Sequence, residues 1–130
     1  MTKKFAVCFS GYPRFVRTVF PNIKKNFLDG LGDYDIYANL QWDEKNWKGS
    51  QIHHENNIKY ETNELEDFKE LYTPLNMVKC QVNEPFVYDT SDYDKLSAEP
   101  DMSVTPEKAK DIVYRFKSQY QGIADCAKLV

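Results

Sequence analysis

The chain has 130 residues and a net charge of −3, with 17 basic and 20 acidic side chains interspersed. That length allows one domain with a single core. The charge balance leaves no basic footprint for duplex nucleic acid, and no apolar run approaches the length of a signal peptide or membrane span. The three cysteines, Cys8, Cys80 and Cys126, are far apart and set among apolar neighbours. They read as buried free thiols of a cytoplasmic protein, with neither a zinc pattern nor a disulfide framework.

In chain order, Phe5 to Phe9 is an apolar run without polar alternation, which predicts a strand covered on both faces. It breaks at Ser10, Gly11, Tyr12 and Pro13 before Arg14. Gly11 permits a tight turn or a close approach to backbone, Pro13 stops strand pairing, and Arg14 supplies a fixed charge. Ligands of open α/β sheets sit beyond the carboxyl ends of the strands, so this turn is the first candidate site. A plain strand-to-helix turn has the same sequence signature.

Helix-compatible residues run from Phe15 to Phe20, and Pro21 restarts a helix whose one face carries Ile23, Phe27, Leu28 and Leu31. Gly30 and Gly32 end it. Tyr34 to Leu40 is the second strand, closing on Gln41, Trp42 and Asp43. Glu44 to Tyr60, with His53 and His54, is polar and irregular and reads as a long loop, the histidines as surface residues. Thr62 or Asn63 caps a helix to Tyr72 with Leu65, Phe68 and Leu71 or Tyr72 buried. Leu75 to Val82 is a third strand, and Asn83 to Asp101 is loop. The last helix starts from a Thr105 cap with Pro106 at its first position. Its apolar positions Ala109, Val113, Phe116, Tyr120, Ile123, Ala127 and Val130 form a seam for either core packing or helix pairing. Gly122 in that helix calls for a packing or ligand reason.

The segments VCFSGYPRFVR, PNIKKNFLDG, YDIYANLQWD and YRFKSQYQGI, in this order, resemble the N-terminal half of glycosyltransferases of the GT-A type found in bacteria, tailed phages and large DNA viruses. The resemblance implies a Rossmann-like α/β domain over residues 1–130, with a partial, mostly parallel sheet of three main strands flanked by helices. It implies a UDP- or GDP-sugar at the strand ends, with Ser10, Gly11, Tyr12, Arg14 and Arg17 near the ribose or diphosphate. Asp43 would accept from a base imide, with Trp42 or Tyr12 stacked on the base. Arg115, Lys117, Ser118, Gln119 and Gly122 would lean toward the nucleotide.

Such enzymes hold Mn²⁺ or Mg²⁺ on an Asp-x-Asp pair after the next strand, and here the chain stops at Val130, where that strand would begin. The Asp92 and Asp94 triplet, with Asp89, is the candidate for metal; the Asp33 and Asp35 triplet lies at the opposite end of the sheet. No general base stands out. A first strand lacking one neighbour implies a homo-oligomer covering its edge, by strand pairing or by the last helix's seam. The expected function is nucleotide-sugar binding with transfer or donor hydrolysis reduced, in the host cytoplasm if the chain is viral. The alternative is an oligomerising or host-interaction module that kept the fold and lost catalysis.

Overall fold

The structure, a computed structural model, describes residues 3–53, 55–85 and 106–130. It is a mixed α/β fold. Strand β1 (Lys4–Gly11) leads into a continuous helical run. That run comprises α1 (Val16–Ile23), a wider π-turn (Lys24–Leu28) and a last α-turn (Asp29–Leu31). Strand β2 (Asp33–Gln41), a small hairpin of β3 (Gln51–His53) and β4 (Ile58–Lys59), helix α2 (Glu64–Tyr72), strand β5 (Met77–Asn83) and helix α3 (Pro106–Leu129) follow.

Three strands form one sheet in the order β1-β2-β5, both pairings parallel. Val7 stands beside Ile36, and Gly11 beside Leu40. Strand β2 is therefore the central one, and Ile36, Ala38 and Leu40 are fully enclosed. Val7 and Phe9 share that face with them, under α1 and α2. There Phe9, Phe20, Phe68 and Tyr72 pack ring against ring, with centroids 4.5 to 5.3 Å apart.

The run Phe5 to Phe9 is not covered on both faces, because among the described strands β1 lies at an edge: Phe5 and Cys8 are exposed and Val7 is its one fully buried side chain. The segment 44–60 is not loop throughout. Its β3-β4 hairpin turns on Asn57, whose φ of 50° lies in the left-handed region that asparagine tolerates better than most residues.

The helical run is continuous through Pro21, and Gly32, at φ 79°, ends it. Its start is capped from a distance. Phe15 precedes α1 in a left-handed conformation and offers no side-chain acceptor, so the Val16 N–H donates to Oε2 of buried Glu64 at 2.9 Å. Asn63 caps α2, accepting from the Glu66 N–H at 3.1 Å. A Glu64→Ala change leaves a buried N–H without its acceptor, an expected cost of about 1–3 kcal/mol. Glu64→Gln keeps an acceptor oxygen and should retain most of the stability. Urea unfolding of the two variants checks this, and equal losses would refute the capping role.

Helix α3 covers the other face of the sheet, which presents Cys8 and Ser10 from β1 and Tyr37, Asn39 and Gln41 from β2. Amides rather than aliphatic groups meet the helix. Nδ2 of Asn39 donates to the Gly122 carbonyl at 3.4 Å, and Nε2 of Gln41 donates to Oγ of Ser118 at 3.0 Å. The helix therefore docks by its stripe of small residues, Ser118, Gly122 and Cys126. The predicted apolar seam is not its packing face: Phe116, Tyr120 and Ile123 are 55%, 66% and 50% exposed, and only Val113 of the described seam is buried. The Thr105 cap falls outside the described residues. No helix among those described is long and apolar enough to cross a membrane.

Candidate functional site

At the carboxyl ends of β1 and β2 the chain encloses a cavity of about 540 Å³. The end of β1 and its turn supply Ser10, Gly11, Tyr12 and Arg14; β2 supplies Gln41, and the hairpin Gln51 and Ile52. Helix α3 closes it with Asp111, Tyr114, Arg115, Ser118, Gln119 and Gly122, residues three and four apart on one helical face. A second cavity of about 260 Å³ adjoins it. The two share Tyr12, Arg14 and Gln51, and the smaller one adds Trp42, Asp43, Asn46, Trp47, Ser50 and Tyr60.

The backbone explains why the turn reaches into this space. Gly11 has φ 103°, a conformation that side-chain-bearing residues rarely adopt, and Phe15 is left-handed four residues later. Between them the chain reverses and carries Tyr12 and Arg14 along the cavity wall. Gly122 lines the floor. A Cβ there would lie 3.7 Å from Cβ of Ser10, ordinary contact, so packing against the protein does not demand glycine.

Electrostatics follow from burial. Tyr12 is half-buried, and desolvation pushes its phenol up to about 12, with Tyr114 and Asp43 adding to the rise and Arg14 opposing it. Tyr60 is raised by burial too, against the pull of the adjacent Arg14 guanidinium, while its hydroxyl donates to the Pro13 carbonyl at 3.1 Å. Arg115 Nε pairs with Oδ2 of Asp111 at 3.0 Å. Asp43 accepts from the backbone N–H and side-chain amide of Asn46 at 3.1 to 3.3 Å, an arrangement that closes a turn.

Buried phenols and thiols also set the alkaline limit of the fold. Tyr12, Tyr60, Tyr72, Cys80 and Cys126 are all raised, each by burial first, Cys126 to about 11. In the unfolded chain these groups ionise near 9.0 for cysteine and 10.0 for tyrosine. The unfolded state therefore binds fewer protons above those values. The stabilisation is fully present below pH 9 and disappears as pH climbs through 11 and 12. Thermal unfolding across that range should show a steep fall in Tm, and a flat profile would contradict it.

Of the residues singled out by sequence, Ser10, Gly11, Tyr12, Arg14, Gln119, Arg115, Ser118 and Gly122 come together around the larger cavity, and Trp42 and Asp43 around the smaller. Trp42 is wall and not platform. It is 3% exposed, its ring lies against Trp47 and Tyr60, and its Nε1–H donates to Glu44 at 3.0 Å. Arg17 stands outside the site, engaged by Asp67 and Glu70 of α2. Lys117 points to the outer face of α3 beside Phe116 and Tyr120. His53 ends β3, and its Nδ1 accepts from the Asn56 N–H at 3.3 Å. Asp89, Asp92, Asp94 and His54 lie outside the described residues, and among those described no three His, Cys, Asp or Glu side chains converge as metal ligands.

Sequence reasoning missed Gln41, Gln51, Ile52, Asp111 and Tyr114. The polar and small stripe 111, 114, 115, 118, 122, set across the helix from the apolar seam, was the signal for the α3 residues. Comparisons with protein-family models, with characterised proteins and with solved structures return no match.

Proposed function

We propose that the chain binds a nucleoside diphosphate sugar, UDP- or GDP-linked, across the two adjoining cavities. The observation that carries this reading is the shared wall of Tyr12, Arg14 and Gln51 between them. It suits a ligand with two unlike ends joined by a charged middle. Arg14 and Arg115 offer planar guanidinium donors to the diphosphate oxygens. Tyr12 offers a ring face to the base, and Asp43 an acceptor to a base imide N–H. Ser10, Ser118, Gln41, Gln51 and Gln119 are hydrogen-bonding partners for sugar hydroxyls.

The same guanidiniums stabilise charge on a departing diphosphate, which makes a glycosyltransferase of GT-A type, with slow transfer to an acceptor or to water, the enzymatic form of the proposal. A divalent ion, Mn²⁺ or Mg²⁺, belongs to it as a possible partner of the diphosphate, with no step assigned to it. Calorimetric titration with UDP- and GDP-sugars, with and without Mn²⁺, tests the reading. Saturable binding of either donor supports it; no heat from any nucleotide refutes it.

A second reading, an oligomerising or host-interaction module, is favoured by the exposed Phe116, Tyr120 and Ile123 together with an edge of β1 that no other described strand pairs. Light scattering decides the homo-oligomeric form of it, since a monomeric mass at working concentrations excludes self-association.

A further inference from the structure

We propose that Cys8 and Cys126 form an oxidation site, in which a low-molecular-weight disulfide such as oxidised glutathione links strand β1 covalently to helix α3. This inference does not rest on the nucleotide reading.

The geometry begins with Gly122, where a Cβ would stand 3.7 Å from Cβ of Ser10. From there α3 runs against the direction of β1. Four residues along the helix advance it about 6 Å, and two residues back along the strand about 6.6 Å, so Cys126 stands over Cys8 as position 122 stands over Ser10. Disulfides need Cβ atoms about 3.5–4.5 Å apart, a range that includes the 3.7 Å found one helical turn earlier, between position 122 and Ser10. Independently, Sγ of Cys126 lies 3.3 Å from the carbonyl oxygen of Phe9, the residue after Cys8, and 3.6 Å from that of Tyr37, the neighbour of Cys8 across the sheet.

The two sulfurs differ in access. Cys8 is exposed on the edge strand, whereas Cys126 is 1% exposed. Cys80 takes no part, because it stands in register with Ala38 and packs with the core on the opposite face of the sheet. The Cys8 thiolate attacks one sulfur of oxidised glutathione, and one glutathione leaves with the proton that Cys8 gave up. The Cys126 thiol, losing its proton, then attacks the Cys8 sulfur of the mixed disulfide and releases the second glutathione. Two protein thiols and one glutathione disulfide become one protein disulfide and two glutathione thiols. Its effect is to fasten the helix bearing Arg115, Ser118 and Gln119 to the strand ending in Ser10 and Gly11, fixing two walls of the larger cavity relative to each other.

The test is to incubate the full chain with oxidised glutathione, alkylate the remaining thiols and map the peptides by mass. The expected result is a Cys8–Cys126 linked peptide with Cys80 alkylated, an intact mass lower by two hydrogens, and reversal by dithiothreitol. Unfolding of the oxidised chain should shift upward by several degrees. Cys126→Ser should stop at glutathione held on Cys8, and Cys80→Ser should still form the link. Glutathione persisting on Cys8 in the unaltered chain, a thiol at Cys8 left free, or a link through Cys80 would each overturn the proposal.

Discussion

Replacing Arg14 by alanine is expected to weaken the proposed binding of a UDP- or GDP-sugar by about tenfold to a hundredfold, while leaving Tm within a few degrees of its starting value. Arg14 is the one cation lining both cavities, and its side chain is exposed, so truncating it removes little packing. A charge-assisted hydrogen bond to phosphate contributes about 1.5–3 kcal/mol, which is the stated range of affinity. Arg14→Lys keeps the charge and loses the planar fork, so intermediate affinity separates bidentate recognition from simple attraction. Arg17→Ala is the internal control: its partners are Asp67 and Glu70, and donor affinity should not move. Calorimetry on the three variants checks the set. An Arg17 variant that loses binding while the Arg14 variant keeps it would relocate the site.

The largest effect on stability is expected from Tyr72→Ala, at about 3–5 kcal/mol. Tyr72 is 1% exposed and its ring meets Phe9 at 4.9 Å, Phe20 at 5.0 Å and Phe68 at 4.5 Å, so one truncation removes the common neighbour of three rings. These rings join β1, α1 and α2. Since a domain of this size is stable by about 5–15 kcal/mol, the loss should lower Tm by on the order of ten to twenty degrees. Tyr72→Phe keeps the ring and should cost far less. Denaturant unfolding distinguishes the two, and similar losses would mean that the hydroxyl, not the ring packing, holds this part of the core.

Where local chemistry decides the structure, the sequence was readable. The strands at Phe5, Tyr34 and Met77, the Asn63 cap and the Pro106 helix start follow from residue preferences acting within a few positions. The parallel order of the three strands agrees with the expected arrangement. What escaped is set by partners remote in the chain. Arg17 reads as a free phosphate ligand until Asp67 and Glu70, 50 and 53 residues on, are seen to occupy it. The apolar seam of α3 reads as a face for core packing or helix pairing until the sheet is seen to meet the helix with Asn39 and Gln41 on its other side. Trp42 reads as a stacking surface until Trp47 and Tyr60 are found against its ring. The β3-β4 hairpin is too short for periodicity to reveal.

The docking of α3 also carries a consequence for the order in which the molecule assembles. Strand β1 finds β2 across a single helix, and β2 meets β5 across the hairpin and α2, all within residues 4–83. Contacts of Cys126 with Phe9 and of Gly122 with Asn39 instead span 117 and 83 residues. The sheet face that receives the helix exists only once β1 and β2 have paired, so these contacts come after that pairing. Helix α3 is thus expected to settle last and to open first, its amides exchanging hydrogen ahead of those of β2. Because one wall of the larger cavity belongs to that helix, the cavity exists only at the final stage of folding and is the first feature lost when the native state loosens.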